Sequence, residues 1–364
     1  MKVLLVRERY GHHTPNSGYD ILFNDLQKPG YIHLYLSFRH LKLKKAINKI
    51  LTILLPKIFD SRFYRFEHFW QECKIARDII KHKPDVVHIS HAHEQYKILT
   101  KKYFRSKVAF VGTIHMPFAF WKAGRRRKDW FGFYDKIIVL DRYSQKTFGE
   151  YLNREIDYVP HPLDTKYYVP TVSAEQKRQK PAFECFFAGR FLRDIDMVLE
   201  IARKLYVKDP GIIFHIAYPL TYSPEQLYYK MIGVISLSSV RFYNRVSNAQ
   251  LLKFYHEADV VVMPLFESTA NNVFLEAAAC NTIPVTTKTN GTPSYLPEGL
   301  KNVIGNLNTA DDIVDMVIRL KTDAALYKTV SEELGAFVRA NFAVEKMCDE
   351  TVALYKSVLK PAQV

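Results

Sequence analysis

With 364 residues, 48% of them hydrophobic, the chain is too long for one ordinary domain and can bury two full cores. No apolar run reaches the roughly 18 residues of a membrane-spanning helix, and Cys73, Cys185, Cys280 and Cys348 lie far apart without a Cys-x-x-Cys pair, which argues for a reducing compartment and against a zinc site. The net charge of +15 sits entirely in residues 1–170, which hold 31 Lys and Arg against 16 Asp and Glu, whereas residues 171–364 hold 21 of each. A basic half and a neutral half imply two domains with different partners; the basic one faces an anionic acceptor or membrane surface, unless its charge is only a solvated face.

In chain order, Met1 to Arg7 reads as a first strand, its apolar part being too short for a signal peptide. The predicted strands of the first half are 2–6, 31–37, 85–89, 108–112, 136–140 and 157–159. Those of the second half are 183–188, 212–217, 240–243, 259–263 and 283–286. Helical runs fall between them, such as 194–206 and 248–258, which is the alternation of an α/β fold. Thr171 to Lys180 is polar and unpatterned and reads as a linker, and the helices from Asp311 to Leu359 have no strand after them.

Arg39 to Pro56 carries Lys42, Lys45, Lys49 and Thr52 on one helical face and Leu43, Ile47, Ile50 and Leu54 on another. It reads either as a cationic amphipathic helix lying in an anionic membrane interface or as a surface helix with its apolar face on the sheet. A second mixture, Lys122 with Arg125 to Lys128 beside Phe118, Phe120, Trp121 and Trp130, also suits an interface. His88, His91 and His93 alternate at a strand end, but no acidic or cysteine set accompanies them and no metal is expected.

Residues 259–291 are the most informative segment. A β-branched run (Asp259 to Met263) leads into the polar loop Glu267 to Asn272, then a helix through Cys280, then the strand from Ile283. Thr269 and Asn271 are good N-cap types, and Asn281 stands where a left-handed C-terminal residue is needed. Loops at the carboxyl ends of parallel strands face the ligand crevice. A helix N-terminus there offers N–H groups to a phosphate or a sugar hydroxyl. Asn272 and Glu276, four apart, share a helix face, and a carboxylate one turn in suits a ribose diol.

Phe274-Leu275-Glu276-Ala277 followed by Ile283-Pro284-Val285 resembles the nucleotide-sugar site of GT-B glycosyltransferases, of the large retaining type with two glutamates in an E-x7-E arrangement (family 4). Glu267 stands one place off the first glutamate, and Thr269-Ala270-Asn271-Asn272 replaces the family's glycine-rich loop. The resemblance implies Glu276 as ribose ligand and Glu267 as a contact to the donor sugar, with Ser268, Thr269, Asn271 and Asn272 around the donor. Phe187-Ala188-Gly189-Arg190 resembles the family's Gly-Arg turn; Arg190 and Arg193 would then neutralise the diphosphate. Pro84 to His88 resembles the Pro-Asp-Val-Val-His strand. Thr113-Ile114-His115 resembles the Thr-x-His turn, which places His115 near the reacting sugar, and Gly18 stands for the glycine of the loop after the first strand. Tyr158 to Thr165 resembles the interdomain segment, with His161-Pro162 in place of Asn-Gly.

The resemblance implies two Rossmann-like domains facing each other across a cleft. Residues 1–170 would bind the acceptor and 171–342 the nucleotide sugar, with 343–364 crossing back to the first domain. It further implies transfer from a nucleoside-diphosphate sugar with retention, no cofactor and no metal, and the charge asymmetry points to a glycan or lipid-linked acceptor. The expected location is cytoplasmic, at the membrane face through Arg39–Pro56 and Arg125–Lys128. The same fold also serves sugar-nucleotide epimerases and phosphorylases, and a pseudoenzyme is a further alternative. A basic nucleic-acid-binding protein is the alternative of another class; no aromatic RNP pattern, zinc spacing or helix-turn-helix signal supports it.

Overall fold

The computed structural model describes residues 1–8, 15–26, 29–36, 44–59, 63–124, 127–219 and 225–359. The chain forms two compact units: residues 1–15, 19–160 and 345–364 make the first, and 16–18 with 161–344 the second. The expected division lay at 170 and 343; the observed changes fall after Pro160 and after Val344, and three residues near the start belong to the second unit.

The first unit holds a six-stranded sheet of β1 (Val3–Glu8), β2 (Tyr31–Leu36), β3 (Val86–Ile89), β4 (Ala109–Ile114), β5 (Lys136–Val139) and β6 (Asp157–Tyr158), in the order β2-β1-β3-β4-β5-β6. All its pairings are parallel, with Val3 opposite both Tyr31 and Val86. The second holds β7 (Glu184–Ala188), β8 (Ile213–Ala217), β9 (Val240–Tyr243), β10 (Val260–Met263) and β11 (Ile283–Thr286), all parallel, in the order β11-β10-β7-β8-β9. The eleven predicted strands are all present, with ends within two residues of expectation. Strands covered on both faces need continuous apolar runs, and β3, β4, β10 and β11 are buried at every position. In the second unit the strand order reverses between β7 and β10, so the crevice for a ligand opens at the carboxyl ends of these two strands.

Inside the first unit, His88 on β3 is bound through Nδ1 to the Tyr355 hydroxyl at 2.6 Å and through Nε2 to Thr113 Oγ1 at 2.8 Å. Tyr19 joins the same Thr113 hydroxyl at 2.8 Å. Burial pushes the His88 imidazole down to about 3, so it is neutral. This buried chain fixes helix Val344–Ser357, the source of Tyr355, to the first unit's sheet. Trp121 and Trp130 do not join an interfacial patch as expected: both are buried, Trp121 packing on Phe131 and Phe148. Arg125, Arg126 and residues 39–43 lie outside the described residues.

The segment expected to be a linker is folded. Ser173 caps the helix Ala174–Arg178 by accepting from Gln176 N, and the Lys177 amine is buried, donating to Tyr255 O at 3.1 Å and Thr282 Oγ1 at 2.5 Å. A long amine can span to a buried carbonyl, which polar composition alone conceals. Burial lowers Lys177 to about 7, against the pull of Asp259. The unfolded chain therefore binds more protons between about pH 7 and 10.5, and stability rises with pH in that window, at most by roughly 1.4 kcal/mol per unit. The difference in unfolding midpoint between wild type and Lys177→Met should change in Lys177's favour from pH 6.5 to 9; a pH-independent difference would refute the titration.

Candidate nucleotide site

In the second unit the loops after β7 and β10 are tied together: Asp194 N donates to Pro264 O at 3.0 Å and Phe266 N to Leu192 O at 3.1 Å. Gly189, at φ +101, ends β7 in a conformation side chains rarely adopt, and a Cβ there would lie 3.3 Å from Arg193 Nε. The missing side chain lets the Arg193 guanidinium lie against the turn. It donates to Asn271 Oδ1 at 2.9 Å and, weakly, to Ala188 O at 3.4 Å. No carboxylate pairs with it among the described residues, and burial pushes the guanidinium down to about 10. Arg190, three residues earlier, is exposed.

Asn271 is the N-cap of helix Asn272–Ala279, accepting from Phe274 N at 3.4 Å. Its Nδ2 is buried and has no hydrogen-bond partner among the described residues. A charged guanidinium, an unsatisfied amide donor and a helix N-terminus therefore converge. As expected, the helix ends with Asn281 in the left-handed region at φ 58.

Asn272 and Glu276 share a face, and it meets residues 16–18. Asn272 Oδ1 is 2.8 Å from His161 Nδ1. Gly18, at φ +67, donates its N–H to Pro162 O, and a Cβ there would lie 3.0 Å from Asn272 Nδ2. The Glu276 carboxylate is buried, accepting from Ser17 Oγ at 2.5 Å and from the Tyr255 hydroxyl at 2.8 Å. Neither partner was singled out from sequence. Ser17 lies 259 residues from Glu276.

Glu267, expected against the donor sugar, accepts three bonds within the loops: from Ser268 N at 3.0 Å, Asn290 N at 2.9 Å and Asn290 Nδ2 at 2.6 Å. It thus clamps the loop after β10 to the loop after β11. Gly291 completes the clamp, since a Cβ there would sit 1.9 Å from Ser268 O. Thr269 O accepts from the Tyr295 hydroxyl at 2.9 Å. His115 lies in the first unit just past β4, stacked on His91 with ring centroids 4.8 Å apart and edge-on to Tyr19 at 4.8 Å. Among the described residues no three His, Cys, Asp or Glu are placed to hold a metal ion.

Two family models match the chain. "Glycosyltransferase Family 4" covers residues 31–167 and "Glycosyl transferases group 1" covers 182–323. A curated relative, the D-inositol 3-phosphate glycosyltransferase of Streptomyces bingchenggensis, is 26% identical over 186 residues, 48% of this chain and 40% of that protein. The chain thus matches less than half the length of this relative. Among solved structures, sucrose-phosphate synthase from Thermosynechococcus elongatus superposes with TM-score 0.71 at 15% identity, covering 98% of each chain. HepE from Anabaena, in complex with UDP and glucose, superposes with TM-score 0.70 at 14% identity, over 98% of this chain and all of that one. Two parallel sheets in this order, together with both family models, show that the chain belongs to the GT-B glycosyltransferases of the family 4 type.

Proposed function

We propose that the chain transfers a sugar from a nucleoside-diphosphate sugar, held by the second unit, to a glycan or lipid-linked acceptor met by the basic first unit. The reaction proceeds with retention and without a metal or cofactor. The observation that carries this reading is the Arg193 guanidinium, half-buried without a carboxylate partner among the described residues and set beside the orphaned Asn271 Nδ2. Both are donors of the kind that diphosphate oxygens accept from. Stabilising charge on a departing diphosphate is the main electrostatic task of such a transfer, and a fixed guanidinium performs it without reorganisation.

The other groups take roles by position. Arg190 adds a second, exposed cation. Glu276 accepts from the ribose diol beside Ser17 and Tyr255. Ser268, Thr269 and Asn272 line the approach to the sugar, and Glu267 orients the loop that meets it. Gly18 permits close backbone approach, and the family resemblance assigns the His115 imidazole of the first unit to a sugar hydroxyl.

The test is a thermal-shift panel of UDP-, GDP-, ADP- and TDP-sugars, begun with uridine because the Anabaena neighbour holds UDP. A ligand at 100 times its Kd stabilises by about 2.7 kcal/mol, so one base should raise the melting temperature by several degrees, with EDTA present as well as absent. No shift with any base would end this reading. Product analysis then separates transfer from epimerisation.

A further inference from the structure

We propose that the outward face of helix Lys44–Leu54, with the turn through Ile58, docks on the interface of an anionic lipid bilayer. The helix is held to its neighbour Phe66–His82 by a polar clamp: Asn48 Nδ2 donates to Glu67 Oε2 at 2.8 Å, and Phe66 N donates to Asn48 Oδ1 at 2.7 Å. Leu51 and Thr52, three and four positions on, are half-buried on that side. The opposite side turns outward: Ile50 is 54% exposed, Ile53 68% and Leu54 68%, followed by Leu55 at 43% and Ile58 at 44%. The apolar stripe that a surface helix would lay on the sheet is thus partly presented to solvent. Five aliphatic side chains within nine residues form a patch that calls for a partner.

Charge selects that partner. The helix contains no acidic residue, and exposed Lys49 and Lys57 flank the aliphatic patch. Residues 1–170 carry the chain's entire positive excess. A second copy would bring two basic faces together, whereas an anionic bilayer interface offers acyl chains to the isoleucines and negative headgroups to the lysines. On the adjoining helix Trp70 is half exposed and stacked on Phe66, a residue type enriched at such interfaces.

This inference stands apart from the glycosyl-transfer reading, because its test needs no donor and no turnover. The full chain is floated with phosphatidylcholine vesicles, with and without phosphatidylglycerol. Binding is expected only with phosphatidylglycerol and should weaken as salt rises. The double variant Ile53→Asp/Leu54→Asp should bind at least about tenfold less at an unchanged melting temperature, since both side chains are exposed. Lys49→Glu/Lys57→Glu should also lower binding. The proposal is overturned by absent flotation, by equal flotation on phosphatidylcholine alone, by wild-type binding of the aspartate variant, or by a lipid-free dimer that the aspartates dissociate.

Discussion

Arg193→Met should abolish nucleotide-induced stabilisation while leaving the ligand-free protein at least as stable as the wild type. The two halves of this result have one cause. Without ligand, the half-buried guanidinium lies against Gly189 with, among the described residues, a long bond to Ala188 O and one to Asn271, and its partial burial disfavours the charge it carries. Removing a half-buried cation that has no carboxylate partner among the described residues costs little and can stabilise, because the desolvation penalty goes with it. Asn271 keeps its cap bond to Phe274 N. With nucleotide, the same cation makes charge-assisted bonds to the diphosphate worth about 1.5–3 kcal/mol each. Losing two removes at least ~3 kcal/mol, roughly a hundredfold in Kd. Titration calorimetry with UDP, or whichever nucleotide the panel selects, reads the second half, and thermal unfolding without ligand the first. Arg193→Lys, which keeps the charge but not the fork, should fall between. Wild-type affinity in the methionine variant would remove the diphosphate from this loop.

At Glu276 the expected effects part between two substitutions. Glu276→Ala leaves the Ser17 and Tyr255 hydroxyls facing each other across a buried void. Unsatisfied groups cost about 1–3 kcal/mol each and a void adds to that, so a loss of about 2–4 kcal/mol of stability is expected. Glu276→Gln preserves the shape, and its amide can still pair with hydroxyls that donate or accept, so stability should fall by no more than ~1 kcal/mol. Donor affinity should drop about tenfold in both, the loss of one charge-assisted bond to the ribose. If the glutamine variant bound nucleotide as the wild type does, the carboxylate would be a scaffold for Ser17 and Tyr255 alone.

What could be read from sequence follows the range of the interaction. The strands were legible because doubly covered parallel strands must be apolar almost throughout, as in Val260 to Met263. The Asn271 cap and the left-handed Asn281 were legible because each is a local backbone requirement. The clamp between Glu267 and Asn290 was not, since it joins two loops through side chains whose types are common in any turn. Nor was the Ser17 bond to Glu276, which depends on the folded path of a distant segment. Lys177 lay inside the stretch read as a linker, and only the burial of its amine on Tyr255 O revealed a core position. Trp121 and Trp130 looked interfacial because basic residues neighbour them in sequence, while the fold turns the rings inward.

The interleaving of the two units bears on how the chain is made. Residues 345–357 leave the ribosome only after the whole of 161–344, yet they carry the Tyr355 hydroxyl that satisfies His88 within β3. A nascent first unit therefore waits, incomplete, while the second is translated. The second unit in turn takes Ser17 from a stretch translated long before it. A fragment ending at Pro160 would lack the brace, and one starting at His161 would lack the hydroxyl on Glu276, so neither piece expressed by itself reproduces its unit.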